Sequence, residues 1–507
     1  MSRSNHTWSV AIVGTRGHMV RVEARSSQNL PTFTIIGMPD SAIREASHRV
    51  RGAIHSALLP FPDGQLTVNL APAALRKSGS GFDLAIAVAL IANAFKKCQA
   101  IARQTVYLGE CGLDGTIHPV RGVLPAVLAA VENGYSQVVV PAANAEEARL
   151  IPGAQVVAVA NFGELAKHLK IPGKGKVTYP EVKEETTLCA AAQETVDMAD
   201  VMGQDEARIA LEIAAAGGHH LMLLGTPGSG KTMLAKRLPT ILPELADAEA
   251  IETTAIHSVA GTLDATAGLI RRPPFIAPHH NITAAAMIGG GATLARPGAV
   301  SLANHGVLFL DEAPEFAPSI LDCLRQPLES GELTIHRSGG SVHLPAKFQL
   351  ILAANPCPCG YWGHPTKACK CPPYARIRYL NRLSGPLMDR IDLRVNVYGP
   401  LPGSLTTSHQ GDSSATVLNR VKAAREFQAA RGQCGLNAAI PSREITKYVS
   451  AADLHRLNKL VEHAVITMRG RDRIIRVART IADLREEYQV RTDAIQQAFA
   501  LRGETND

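Results

Sequence analysis

The chain has 507 residues, 46% of them hydrophobic and only 19% charged, so it can bury cores for two or three domains and is not a disordered polymer. Its net charge of +7 permits an anionic partner without demanding one. Five of the nine cysteines (Cys98, Cys111, Cys189, Cys323 and Cys434) are scattered, which argues against a disulfide framework and for a reducing compartment. The polar start, Met1–Trp8, lacks a signal pattern, and the richest apolar run, Leu84–Ala94, is too short to span a bilayer. The expectation is a soluble cytoplasmic protein with no membrane partner.

Residues 1–170 mix strands and helices and hold no phosphate loop. Strand-forming runs at Ser9–Val13, Val20–Ala24 and Phe33–Ile36 are separated by turn signals such as Gly37-Met38-Pro39-Asp40. Apolar spacing predicts a helix over Asp40–Leu58, with Asp40 or Ser41 as its N-cap. Leu66–Leu70 reads as a buried strand and Asp83–Ala94 as an apolar helix. Val106–Gly109 and then Leu113-Asp114-Gly115-Thr116 read as a hairpin with an Asp-Gly turn. Val123–Asn133 is a helix closed by Gly134, and Gln137–Val140 is a strand. Lys77, Ser78 and Ser80 read as a solvated loop before a helix.

The stretches Lys77–Ala87 and Gly115–Val123 resemble the proteolytic domain of Lon proteases, which implies an α+β fold here. Protease members of that family use a Ser–Lys pair, but the aligned positions hold Gly81 and Leu124. Ser80 is one residue away, yet no lysine follows near Gly122, and a hydroxyl without a base is a poor nucleophile. The resemblance therefore implies the fold without the protease. A Lon-like fold lacking the pair also resembles the C-terminal domain of the RadA recombination proteins, which hints at a nucleic-acid or oligomer-scaffold role.

Residues 171–195 carry Pro, Gly and charge without periodicity and read as a linker. The next domain, residues 196–400, is expected to open with a helical run from Val201 to Ala216. An apolar strand, Leu221–Leu224, then leads into Gly225-Thr226-Pro227-Gly228-Ser229-Gly230-Lys231-Thr232 and a helical segment, Met233–Leu238. Strand, glycine-rich turn, Lys-Thr and helix is the order of a phosphate-binding loop. The turn from Gly225 through Pro227, Gly228, Ser229 and Gly230 can cradle phosphate oxygens with its N–H groups, helped by the positive end of the helix. Lys231 can reach the β- and γ-phosphates, and Thr232 can hold magnesium.

About eighty residues on, Val307–Leu310 is an apolar strand ending in Asp311 and Glu312. Asp311 can join the magnesium shell, and Glu312 can take a proton from an attacking water. Phe348–Ala354 is a further apolar strand ending at Asn355, where an amide can orient that water. Together these residues imply hydrolysis of ATP with Mg2+, not binding alone. Leu333–Leu344 has the pattern of a hairpin with a Gly-Gly turn, and Ile282–Pro297 is glycine-rich.

Cys357 and Cys359, then Cys369 and Cys371, place four thiols within fifteen residues, with His364 between the pairs. Zinc takes four thiolates tetrahedrally, although a single intervening residue is shorter than the usual two to four. The alternatives are buried free thiols or an oxidation-sensitive loop. Lys367, Lys370, Arg376, Arg378 and Arg382 interleave here with Tyr361, Trp362, Tyr374 and Tyr379. That mixture suits single-stranded nucleic acid; its alternative is a charged surface over a small packed loop. Residues 413–507 read as helices at Val417–Arg431, Ala452–Arg469, Ile474–Glu487 and Arg491–Leu501.

The spacing of these signatures resembles the AAA+ ATPases, and within them the magnesium-chelatase-like ComM family, also called YifB. The residues that carry the resemblance are Ile276–His280, Gly289-Gly290-Gly291, Arg296-Pro297-Gly298, Asp311–Phe316, Ala354–Gly360 and Arg476–Leu484. The fold class implied is α/β: a Lon-like α+β N-terminal domain, a P-loop α/β core and a C-terminal helical lid. The resemblance implies a homo-hexameric ring that hydrolyses ATP at subunit interfaces, with an arginine supplied by the neighbour. Arg390 is the first choice for that finger and Arg382 the second; the alternative for Arg390 is a surface arginine paired to Asp389 or Asp392. A second arginine sensor is expected in the lid at Arg469, with Arg473 and Arg476 as alternatives. The two insertions would face the ring pore, where His336, Arg337 and Lys347 could touch phosphates of a threaded strand. The function implied is a DNA helicase, on single-stranded or branched DNA, that promotes branch migration during natural transformation and recombination. The alternative is a chelatase-type ATPase that remodels a protein partner for metal insertion.

Overall fold

The computed structural model describes residues 5–28, 30–171, 196–290, 296–337, 340–364, 366–398, 411–433 and 435–503. The expected linker from residue 172 to 195, Gly291, Cys189 and Cys434 lie outside the described residues, as do the side chains of His336 and Arg337.

The N-terminal part is a seven-stranded mixed sheet. Its strands are β1 (Asn5–Val13), β2 (Arg16–Ser27), β3 (Phe33–Ile36), β4 (Gln65–Ala71), β5 (Thr105–Tyr107), β6 (Gln137–Pro141) and β7 (Gln155–Val159), in the order β3-β4-β2-β1-β5-β6-β7. Alternation puts one set of side chains against the helices Ser41–Ser56 and Asp83–Ala94 and the other against the helix Val123–Glu132, so each face has its own core. Asp40 caps the helix Ser41–Ser56 by accepting from the Ile43 amide at 2.9 Å. The expected Asp-Gly turn joins the short ribbon of Glu110–Cys111 and Ile117–His118, while the expected first arm from Val106 belongs instead to β5 of the large sheet.

Lys77 corrects the sequence reading. It is fully buried, not solvated, and its ammonium donates to the carbonyls of Gly37, Leu70 (2.9 Å) and Pro72. Three carbonyls close around the ammonium head replace the water it loses, which is how a lone lysine stands burial. Burial alone lowers its pKa.

The second sheet has five parallel strands: β8 (Leu221–Gly225), β9 (Phe275–Ile276), β10 (Val307–Leu310), β11 (Gln349–Ala354) and β12 (Leu393–Val397), ordered β9-β10-β11-β8-β12. Successive residues of the buried strands enter opposite cores: Leu221 and Leu223 one, Met222 the other; Val307 and Phe309 one, Leu308 and Leu310 the other. That explains the unbroken apolar runs. The chain enters this sheet at β8 and leaves it on both sides, so the crevice at the carboxyl end of β8 is where a ligand binds in such folds.

The C-terminal region is helical: Ser414–Ala430, Ala451–Glu462, Met468–Leu484 and Thr492–Ala500. Its apolar residues share a core with one face of the five-stranded sheet. The single helix expected over Ala452–Arg469 is broken. It ends at Glu462, Ala464 takes a positive φ of 57°, and the Thr467 hydroxyl accepts from the Gly470 amide at 3.0 Å to start the next helix. A threonine cap outweighs apolar spacing here. Arg469 therefore lies in the first turn of Met468–Leu484. No helix among the described residues is long and apolar enough to cross a membrane.

The two sheets are joined through helices. Glu147 accepts from the Leu124 amide at 2.9 Å and from the Ser258 hydroxyl, which ties the N-terminal helix Val123–Glu132 to the core helix Asp247–Ala260. Ala255 of that core helix packs with Val123 and Val127.

Candidate active site

The phosphate-type loop runs from the end of β8 to the helix Lys231–Arg237. Gly230 precedes that helix with φ +96°, a left-handed conformation that a side chain resists. The loop binds itself closely: Ser229 N donates to Thr226 O at 3.2 Å, and Gln204 Nε2 donates to Ser229 O at 3.1 Å. Lys231 is buried and donates to Gly225 O at 2.6 Å, Thr226 O at 3.0 Å and Asn355 Oδ1 at 3.1 Å. Burial lowers its pKa, while Asp311 and Glu312 pull the other way.

Thr232 Oγ1 donates to Asp311 Oδ2 at 2.8 Å. A hydroxyl and a carboxylate in contact at the loop are a hard oxygen pair of the kind magnesium takes together with phosphate oxygens, so the donor set fits Mg2+. Glu312 follows at φ +50°, unusual for a residue with a side chain, and its amide donates to Asp311 Oδ1 at 3.0 Å. The strand order puts β11 between β8 and β10. Asn355, just after β11, is thereby set between the lysine of one signature and the carboxylates of the other. Five residues separated by up to 124 positions (Lys231, Thr232, Asp311, Glu312 and Asn355) meet at one end of one sheet.

Neither expected arginine bonds to these residues within one chain. Arg390 donates to Pro386 O at 2.7 Å and to Glu329 at 2.7 Å, not to Asp389 or Asp392. Arg382 pairs with Glu315 at 3.1 Å. Arg469 is exposed and makes no ion pair among the described residues. Arg473 is bound to the buried Asp392, and Arg476 donates to Ile440 O at 2.9 Å.

The four clustered cysteines converge. Their Sγ atoms all lie within 4.8 Å of one another, with Cys357 3.4 Å from Cys359 and 3.6 Å from Cys369. A tetrahedral zinc site with Zn–S near 2.3 Å needs sulfurs about 3.8 Å apart. The donor set and spacing fit a metal. The Tyr361 amide, bonding to the Cys359 thiol, holds its pKa down to about 6. His364 is not part of the cluster: its Nδ1 accepts from the Thr366 and Lys367 amides at 3.1 Å.

Sequence reasoning missed three contacts. His280 Nδ1 lies 3.7 Å from Glu312 Oε2, and the His280 ring leans against His279, tilted by 33° with centroids 4.1 Å apart. The paired histidines were visible in the sequence; their reach to Glu312 was not. Second, the cysteine loop touches the phosphate loop: Gly360 (φ +81°) is so close to Pro227 that a Cβ there would stand 2.6 Å from the proline ring. Third, a buried polar network joins core to lid. Asp392 accepts from the His220 amide at 3.0 Å and pairs with Arg473 and His219, whose Nε2 meets Thr480 Oγ1 at 2.7 Å.

Family models match along the chain. The model described as magnesium chelatase, subunit ChlI, covers residues 197–403; those for subunit ChlI of Mg-chelatase and for the ChlI C-terminal region cover 22–144 and 411–502. The uncharacterized protein Rv2897c of Mycobacterium tuberculosis is 44% identical over 98% of both chains. The competence protein ComM of Haemophilus influenzae is 39% identical over 98% of this chain and 96% of its own, and the uncharacterized protein YifB of Escherichia coli is 39% identical over 97% and 96%. By contrast, the magnesium-chelatase 38 kDa subunit of Rhodobacter capsulatus matches 31% of this chain at 28% identity.

Proposed function

The chain belongs to the ComM/YifB group of magnesium-chelatase-like AAA+ ATPases, and we propose that it is an ATP-driven homo-hexameric motor on DNA. In this reading it is a cytoplasmic helicase that promotes branch migration of single-stranded or branched DNA during natural transformation and recombination. The observation that supports this most is the full-length likeness to a protein named for competence, joined to a complete hydrolytic set at the end of β8.

The steps follow from the residues. Lys231 leaves its carbonyl partners to hold β- and γ-phosphate oxygens, and the loop N–H groups hold the rest. Bound magnesium, gripped by Thr232 and Asp311, would offset the charge that develops on the phosphates. Glu312 takes the proton of the attacking water, and His280 beside it limits where that carboxylate can point. Asn355 holds the water between them. Arg390 exchanges Glu329 for the nucleotide of the neighbouring subunit, and Arg469 reports the same nucleotide to the lid. The cysteine cluster holds a structural zinc ion; protein purified without added metal is expected to carry one equivalent, and metal-free protein with four titratable thiols would refute that.

The chelatase-type reading, a protein partner remodelled for metal insertion, shares the ChlI family models but has less support from individual relatives: the magnesium-chelatase 38 kDa subunit matches 31% of this chain at 28% identity, the competence protein 98% at 39%. ATP turnover measured with and without single-stranded or branched DNA separates the two. Stimulation by DNA is expected. Turnover indifferent to every DNA form would favour the protein-remodelling reading.

A further inference from the structure

From Leu333 to Met388, a stretch of 56 residues holds seven lysines and arginines and no aspartate or glutamate. In a chain with 45 carboxylates, such a run tilts the local charge balance towards cations, although Arg382 is paired with Glu315. Within it lie the cysteine cluster and the helix Pro373–Leu380, which follows the cluster directly.

Three large apolar side chains of this region are exposed. Trp362 is 48% exposed, Tyr374 72% and Ile377 61%. Arg376 reaches from the helix to lie over the Trp362 ring, 5.0 Å from its centroid, so one ring face is covered by a guanidinium and the ring keeps exposed surface. Lys367 lies over Tyr361 in the same manner, at 5.0 Å. Lys370 and Arg378 are exposed and have no carboxylate partner among the described residues. The Trp362 amide donates to Cys357 Sγ at 3.4 Å, so the cluster fixes where the indole stands.

Wide-open aromatic rings edged by unpaired cations are a poor solution for a free surface and a good one for stacked bases on a phosphate chain. We propose that the cysteine loop with Trp362 and the helix after it with Tyr374, which together carry Lys370, Arg376 and Arg378, form a contact surface for single-stranded nucleic acid, held in shape by the cysteine cluster. Bases stack on the open side of Trp362 and on Tyr374, while Lys370 and Arg378 meet phosphates. Through Gly360 against Pro227 and through Asn355, the same loop touches the nucleotide site, so a strand seated here adjoins the groups that hydrolyse ATP. The proposal rests on the reading of the protein as a DNA motor and names where that DNA sits.

The chain has two tryptophans, which makes a direct test possible. In full-length protein carrying Trp8→Phe, Trp362 is the only indole. Titration with oligothymidylate is expected to quench its emission in step with binding followed by anisotropy of a labelled strand. Trp362→Ala and Tyr374→Ala should each weaken binding about fivefold or more. The double change Lys370→Ala and Arg378→Ala should lower the salt slope by about 0.7 for each phosphate that no longer meets a cation. Each variant is checked for binding of a fluorescent ATP analogue, so that misfolding is not mistaken for a weakened DNA surface. Oligothymidylate that binds the wild type while leaving Trp362 emission unchanged, and binds the alanine variants equally well, would overturn the proposal and leave the motor reading intact. Emission that follows protein concentration and ignores DNA would overturn it in favour of a subunit interface. Wild-type protein that binds no DNA of any form would overturn both readings.

Discussion

Replacing Gly360 by alanine tests whether the cysteine loop and the phosphate loop work as one unit. The left-handed backbone at Gly360 costs an alanine on the order of 1–2 kcal/mol. The new methyl would also stand 2.6 and 2.7 Å from Cγ and Cδ of Pro227, an overlap of the kind that costs about 1–3 kcal/mol to relieve. One loop must give way. The cysteine loop is pinned by its converging thiols and by the Trp362 amide, so the phosphate loop is expected to shift. Since about 1.4 kcal/mol is tenfold in affinity, binding of a fluorescent ATP analogue should weaken by roughly tenfold or more. Pro227→Ala in the same chain deletes the two overlapping atoms. The double variant should recover the overlap part of the loss and keep the backbone part. Gly360→Ala with wild-type nucleotide affinity, or a double variant whose loss is the sum of two independent ones, would refute the coupling.

Glu312→Gln should bind ATP as tightly as the wild type while turnover falls about 10²- to 10⁴-fold in a steady-state phosphate assay; a small loss would remove Glu312 as the base. Arg390→Ala should lower turnover in the assembled ring about a thousandfold, whereas Glu329→Ala, which only removes its partner in the same chain, should not; wild-type turnover by assembled Arg390→Ala rings would refute the finger. Acid should destabilise the core sheet where it meets the lid network, at His220, whose Nδ1 accepts from the Leu350 amide at 3.1 Å. Burial lowers the His220 pKa to about 4, so the stability it carries is complete above its ordinary value near 6.5 and is lost as pH falls towards 4. Asp392 stays ionised through that window: burial would raise its pKa, but Arg473 and the two histidines hold it far below the usual range. Thermal unfolding between pH 7 and pH 4 should show a loss of about 2–3 kcal/mol that His220→Gln reduces; an unchanged pH profile in that variant would refute the assignment.

The strand, turn and helix of the phosphate-type loop were legible because they are contiguous. Strand, glycine turn, lysine and helix follow one another from Leu221 to Arg237, and backbone geometry does the rest. Asp311, Glu312 and Asn355 were legible for a related reason, since each ends an apolar strand and the parallel order of the sheet brings those ends together. What stayed hidden depends on packing across long stretches of chain. Lys77 has the look of a loop residue, yet three carbonyls from a strand and two turns enclose it. His219 and Thr480 stand 261 positions apart, with Asp392 and Arg473 between them, and the four form one network only after the lid folds back on the core. The pairing of Arg390 with Glu329 is hidden in the same way, and so is the seat of Gly360 on Pro227. The lid break has a local reason: apolar spacing runs on from Ala452 to Arg469, and the Thr467 hydroxyl on the Gly470 amide is what restarts the helix.

The most direct test of the account is strand exchange on a labelled three- or four-way DNA junction by purified protein. With ATP and magnesium, the wild type should move the branch point and release the exchanged strand, and Lys231→Ala, which removes the ammonium proposed to hold the phosphates, should not. A wild-type protein that hydrolyses ATP and leaves the junction as it was would contradict the claim that this ATPase is a motor on DNA.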